Sequence, residues 1–287
     1  MATQHHIRNP FEIGVEQLSS VFAGAPRARP RPTATRAAPA VRRIATADLF
    51  EALRRGAADL GAARADVLFI GVIYPLAGLV LMWAAFNYAL LPLLFPLVSG
   101  FALVGPLAAL GLYEISRRRE QGEPATWTSG FGVLRAPNLG SILGLGSILL
   151  VLFAAWLAAA WAIYALTLGP APPTSVGGFL RDVFTTSGGW TMTAVGIGVG
   201  FLFALLAFSI SVVSFPLLLD REDVGLGEAI ATSFRAVMAN PAPMAVWGAI
   251  VAGALVLGSL PALVGLIVIM PLLGHASWHL YRRTVEA

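Results

Sequence analysis

The sequence predicts an all-α membrane protein: a polytopic bundle of six transmembrane helices with amphipathic surface helices and both termini cytoplasmic. Three observations carry that expectation. No Asp, Glu, Lys or Arg lies between Arg135 and Arg181, between Asp182 and Asp220, or between Arg235 and Arg282. Each gap exceeds the roughly 20 apolar residues that a bilayer crossing needs, and an isolated apolar stretch in lipid satisfies its backbone only as a helix. Composition agrees, with 57% hydrophobic and 12% charged residues in 287, against about 25% charged in an average soluble domain. Finally, the basic residues gather in segments that alternate with the apolar ones.

Composition also excludes chemistry. The chain has no cysteine, which removes disulfides, thiolate metal sites and Cys nucleophiles. All 19 basic residues are arginine, so Schiff-base catalysis and a lysine-dependent phosphate loop are removed as well. The net charge of +4 follows from arginine-rich cytoplasmic segments, and no nucleic-acid partner is expected.

Residues 1–45 read as a polar N-terminal segment ahead of a six-span domain at 46–287. The start, with His5, His6 and Arg8, lacks the apolar stretch of a signal peptide. A short helix is expected from Asn9, with Pro10 at its first position and Phe11, Val15, Leu18 and Phe22 on one face. Residues 23–43 are rich in Ala, Pro and Arg and read as a basic linker near anionic headgroups. A second amphipathic helix follows from Thr46, with Leu49, Leu53, Ala57 and Leu60 in line.

The spacing then predicts spans at 67–90, 91–115, 139–167, 190–219, 242–258 and 260–281. The turn between the last two falls at Gly258-Ser259-Leu260-Pro261. Ten arginines precede the first span, Arg117, Arg118, Arg119 and Arg135 follow the second, Arg221 and Arg235 follow the fourth, and Arg282 and Arg283 follow the sixth. Arg181 alone falls in an outer loop, an arrangement that fits cytoplasmic termini. In that loop Thr174 is expected to cap a short interfacial helix bearing Phe179, Leu180, Val183 and Phe184, anchored by Trp190. A weak repeat runs from Pro106 through Phe131 and Arg135 to Asn138, and from Pro216 through Phe234 and Arg235 to Asn240. It is either a duplication of the kind common in transporters or a likeness between short amphipathic connectors.

Few residues suggest chemistry. His275 and His279 are i and i+4 on one helical face and could ligate one metal ion. They could not clamp a haem from both sides, although one His with an outside ligand could. The plainer reading has both histidines hydrogen-bonded to loops or to Glu114 near the headgroup layer, with no cofactor. Glu114, at the inner mouth of the second span, is expected to pair with His279 or with the Arg282–Arg283 pair. Asp220, Arg221, Glu222 and Asp223, followed by Arg235, read as a helix-capping charge network; Asn240, Trp278 and Arg282 join the structural or interaction candidates. Gly140-xxx-Gly144 and Gly196-x-Gly198-x-Gly200 suggest close helix approach. There is no HExxH, GxSxG or Walker-type motif, so no catalytic residue is assigned.

Four runs resemble a known family. They are Ile210-Ser211-Val212-Val213-Ser214-Phe215-Pro216-Leu217-Leu218-Leu219-Asp220-Arg221; Ala231-Thr232-Ser233-Phe234-Arg235-Ala236-Val237 with Asn240; Gly105-Pro106 through Gly111-Leu112-Tyr113; and Gly274-His275-Ala276-Ser277-Trp278-His279-Leu280-Tyr281-Arg282. Over about residues 45–283 the chain resembles the domain of unknown function 2189 family of bacterial integral membrane proteins, with the His-Trp-His run the most specific part. The resemblance implies an inner-membrane location and no established activity. Some members carry a cytochrome c oxidase subunit I label. A haem-copper core needs about six histidines spread over several spans, and here the spans hold two on one helix, so the label would imply association with an oxidase rather than catalysis. Three functions follow as expectations: an accessory or assembly partner of a larger membrane complex, possible oxidase subunits among its partners; a small-solute transporter or channel; and a haem- or metal-binding redox protein.

Overall fold

Why the second predicted span is not one rod is written in its prolines. The computed structural model describes residues 38–62, 88–261 and 263–286, with Leu79 and Trp83; the expected helix near Asn9 and nearly all of the 67–90 span lie outside the described residues. Instead of one helix over 91–115, the chain forms a 3₁₀ turn at Tyr88–Leu93, α2 at Leu94–Phe101, a 3₁₀ turn at Ala102–Val104, α3 at Gly105–Ala108 and α4 at Leu110–Glu120, preceded in the chain by α1 at Thr46–Ala62. Pro92, Pro96 and Pro106 lack the N–H that a continuous helix requires. One carbonyl in this segment finds another donor: the indole of Trp156 reaches Pro96 O at 3.1 Å.

A 3₁₀ helix, Trp127–Arg135, leads into the long helix α5, Leu139–Thr167, which matches its expected bounds. The outer helix α6 is Val176–Thr185, capped not by Thr174 but by Ser175, whose hydroxyl accepts from Gly178 N. Helix α7, Ser187–Ser211, starts at a Thr186 cap that accepts from Gly189 N. It breaks before α8, Ser214–Asp220, because the ring of Pro216 clashes with a helical carbonyl four residues back, at Val212. The N–H of Val213 at this break donates to Ser233 Oγ on α9, Leu226–Ala239. Helices α10, Pro241–Ser259, and α11, Leu266–Thr284, complete the chain. Between them Leu263 adopts φ 69°, and a Cβ on Gly265 would stand 2.8 Å from Gly258 Cα, so glycine is what lets this turn close.

Among the described residues three helices are long and apolar enough to cross a bilayer: Leu139–Thr167, Ser187–Asp220 taken through its break, and Pro241–Ser259. Large apolar side chains point outward from them, including Val151, Trp161, Phe201, Leu202, Val256 and Leu257. Such a surface fits lipid and would be costly in water. Helix α11 differs because its second half is polar yet buried.

The expected glycine contacts are redistributed. Nothing stands within 4 Å of a Cβ built on Gly140, Gly196 or Gly198, whereas Gly144 meets Leu226 at 3.1 Å, Gly200 meets the ring of buried Trp156 at 2.9 Å, and Gly100 lies against the rings of Phe153 and Trp156. Gly144 and Gly200 thus make room for side chains rather than for a neighbouring backbone. Among the described residues no sheet forms; one antiparallel bridge joins Val41 to Val285.

Candidate functional site

Four helices, α1, α4, α8 and α11, bring the ionisable residues together at one end of the bundle. Helix α1 buries Leu49, Ala52, Gly56 and Asp59, a face turned from the expected Leu49-Leu53-Ala57-Leu60 line, on which Ala57 is exposed. The partner explains the rotation. Helix α11 offers Ala276, His279 and Arg283, so a small residue and carboxylates on α1 complement it better than leucines would. Gly56 is the contact point, since a Cβ there would stand 2.7 Å from the backbone nitrogen of Ala276.

Asp59 is the centre of the cluster. Its Oδ2 accepts from Ser116 Oγ at 2.7 Å and pairs with His279 Nε2 at 2.8 Å; its Oδ1 accepts from Arg119 Nε at 3.0 Å. Burial raises the carboxyl pKa, but the bonds from His279, Ser116 and Arg119 together outweigh it and hold the pKa down to about 2. An ionised Asp59 only accepts, so Ser116 donates its proton to it. The serine lone pair then accepts from His275 Nδ1–H, 2.8 Å away. In neutral His275, Nε2 is therefore left as a bare lone pair; it is buried and without a hydrogen-bond partner among the described residues.

The order of these groups limits their chemistry. A nucleophilic serine hands its proton to a histidine that a carboxylate orients. Here serine sits between carboxylate and histidine, and its proton points to Asp59, so His275 is not arranged to activate Ser116. A metal held through His279 Nε2 would have to draw that nitrogen away from Asp59. Among the described residues no group of three or more His, Asp or Glu is placed to hold a metal ion.

A second knot adjoins the first on α11. Trp278 Nε1 donates to Glu120 at 3.0 Å, and Arg282 reaches Glu120 and Asp220, both at 3.2 Å. Tyr281 donates to the same Asp220 oxygen at 2.7 Å. Asp220 therefore joins α8 to α11, beyond the capping role expected of it. Glu114 is buried as expected, but its partners are Arg117 and Arg118 on its own helix, at 2.8 and 2.7 Å. Asp59 meets His279, and Glu120 and Asp220 meet Arg282.

Arg221 lies 3.7 Å from Asp223 and also reaches Glu286 O, while Arg235 pairs with Glu228 at 2.7 Å on the exposed side of α9. Asn240 is buried; its Oδ1 accepts from Ile44 N at 2.8 Å and its Nδ2 donates to Arg42 O and Ala236 O. Asn138, its counterpart in the weak repeat, donates to Arg221 O at 2.6 Å. Each asparagine ties the start of a long helix to backbone carbonyls of another segment.

Sequence reasoning marked the run 113–120 around Glu114 but gave Ser116, Arg119 and Glu120 no role, and it did not single out Asp59. One signal was available: five consecutive polar positions, 116–120, continue an apolar helix and need partners if that helix is packed.

No curated protein and no solved structure matches the chain. A family does match, over a narrower stretch than the 45–283 resemblance, from the start of α2 to the end of α8. The stretch holds Glu114, Ser116, Arg119, Glu120 and Asp220 and stops short of Asp59 and the His275–Arg282 run. Residues 94–220 match the model of the family described as Predicted integral membrane protein (DUF2189).

Proposed function

We propose that this chain is a non-catalytic accessory or assembly subunit of a larger membrane complex, held in the cytoplasmic membrane by six spans with both termini inside. One observation carries the reading: the clustered ionisable groups are spent on one another, joining α1, α4, α8 and α11 through Asp59–His279, Glu120–Arg282 and Asp220–Arg282. Buried polar networks that are closed in this way fix a helix arrangement. The surface helices meanwhile present unspent apolar side chains, with Phe50 on α1 61% exposed and Met238 on α9 77% exposed. Arginine placement supports the orientation, because Arg117, Arg118, Arg119 and Arg135 precede α5 while Arg181 alone lies between α5 and α7. The oxidase label borne by family members makes respiratory subunits the first partners to seek.

The test is to tag the chain at its natural expression level, extract membranes in mild detergent, and identify what co-purifies in near-stoichiometric amount. Membrane-complex subunits are expected; a solitary protein would contradict the accessory role. A second reading, a small-solute transporter, draws on the broken helical segment over 88–120, since discontinuous helices line many transport sites. Solute uptake into vesicles holding the pure protein would favour it.

A further inference from the structure

Outside the polar cluster, the 3₁₀ helix Trp127–Arg135 and α4 enclose a cleft of about 350 Å³ lined by Arg118, Thr128, Ser129, Phe131, Leu134 and Arg135, with Gly132 at its floor. A Cβ on Gly132 would lie 3.0 Å from Arg118 Nη2 and 3.2 Å from Glu114 Oε1, so glycine keeps the guanidinium within reach of the cleft. Arg118 uses Nε to hold Glu114, which it shares with Arg117; one buried carboxylate thus serves two arginines. Arg135 is exposed and makes no ion pair among the described residues. The cleft is therefore cationic, with exposed Thr128, whose hydroxyl meets Thr126 Oγ1 at 2.7 Å and has lone-pair capacity left, as a further polar group.

Its position supplies the second half of the argument. Three residues separate Arg135 from the start of α5, a candidate span about 43 Å long at 1.5 Å per residue. Phe131 and Leu134 on the cleft wall are 61% and 65% exposed. Arginines beside exposed apolar side chains at the end of a span match the headgroup layer, with acyl chains to one side and phosphate to the other.

We propose that this cleft binds the phosphate of an anionic phospholipid headgroup. Arg135 and the free guanidinium nitrogens of Arg118 engage the phosphate oxygens, for which the arginine fork is suited. Phe131 and Leu134 lie against the proximal acyl chain. The site is separate from the Asp59 cluster and does not depend on the accessory role.

The test is native mass spectrometry of the delipidated full chain in mild detergent, incubated with phosphatidylglycerol or with phosphatidylcholine. Phosphatidylglycerol is expected to be retained in preference. Arg135→Gln should lower its retention about fivefold, the effect of one arginine near a charged headgroup, with melting temperature unchanged. Arg135→Lys should restore most of the retention, and Thr128→Val should weaken it without touching either arginine. Equal retention of the two lipids, or no response to Arg135→Gln, would overturn the proposal. So would displacement of phosphatidylglycerol by inorganic phosphate or by an acidic peptide at the same concentration, which would assign the cleft to a soluble anion or to a protein partner.

Discussion

His279 Nε2 lies 2.8 Å from Asp59 Oδ2, across 220 residues of chain, and this contact fastens α1 to α11. Two more links repeat it along the same interface, from Arg283 to Asp48 and to Glu51. A helix whose outward face carries Arg54 and Arg55 is thereby held against the end of the bundle.

The pH dependence of this joint follows from Asp59, whose pKa falls from 3.8 in the unfolded chain to about 2 in the fold. A lowered carboxyl pKa contributes stability that is fully present above the unfolded value and is lost as pH falls through the folded one. Asp48 is shifted the same way by its bond from Ala45 N and by Arg283. Docking of α1 should therefore be level above about pH 4 and weaken between about pH 4 and 2. Hydrogen exchange of α1 amides against pH would show this; loss beginning near pH 6 would point to other groups.

Close approach at Gly56 makes a steric prediction. Gly56→Ala drives a methyl group into the backbone of Ala276 and should cost about 1–3 kcal/mol. Gly253→Ala on α10 meets nothing within 4 Å and should gain up to about 1 kcal/mol from helix propensity. Thermal melts in detergent compare the two. Equal effects would mean that α1 does not pack on α11 at this point.

Orientation can be read with single cysteines, because the natural chain has none. Gly177 on α6 and Gly227 on α9 both have open space for a side chain. In intact cells a membrane-impermeant maleimide should label Gly177→Cys and spare Gly227→Cys until the membrane is opened. The reverse pattern would invert the proposed topology.

The histidines give a fourth prediction. Glutamine can replace the N–H that each ring offers, so His275→Gln and His279→Gln should retain the helical fold. The pure protein should show no haem absorption and no stoichiometric metal. A metal that is present in the native chain and lost in His275→Gln, with the fold intact, would make His275 a ligand.

Much of the helical layout was legible because apolar runs broken by Gly, Pro and Arg report span ends directly. Helix α5 matched its expected bounds and α10 differed by one residue at each end. The breaks at Val213 and across 88–108 were harder to read: Pro216 and Pro106 signalled an interruption, but its form depends on which nearby groups pair with the freed N–H and carbonyl groups. The polar cluster was half legible. His275, His279, Asp220 and Arg282 stood out against apolar surroundings, whereas Asp59 looked like an exposed position on an amphipathic helix. Hydrophobic periodicity marks the face that meets apolar partners; it is silent where a helix docks on histidine and arginine.

The bond between α1 and α11 holds the polar cluster together, and a double-mutant cycle on Asp59→Asn and His279→Leu, which removes the ring N–H, measures it. Asp59→Asn alone should cost about 3 kcal/mol, because it leaves Arg119 and His279 with a weakened partner in a buried site. The cycle should return a coupling of about 1.5 kcal/mol or more, while additivity within about 0.5 kcal/mol would show that the two residues do not act on each other.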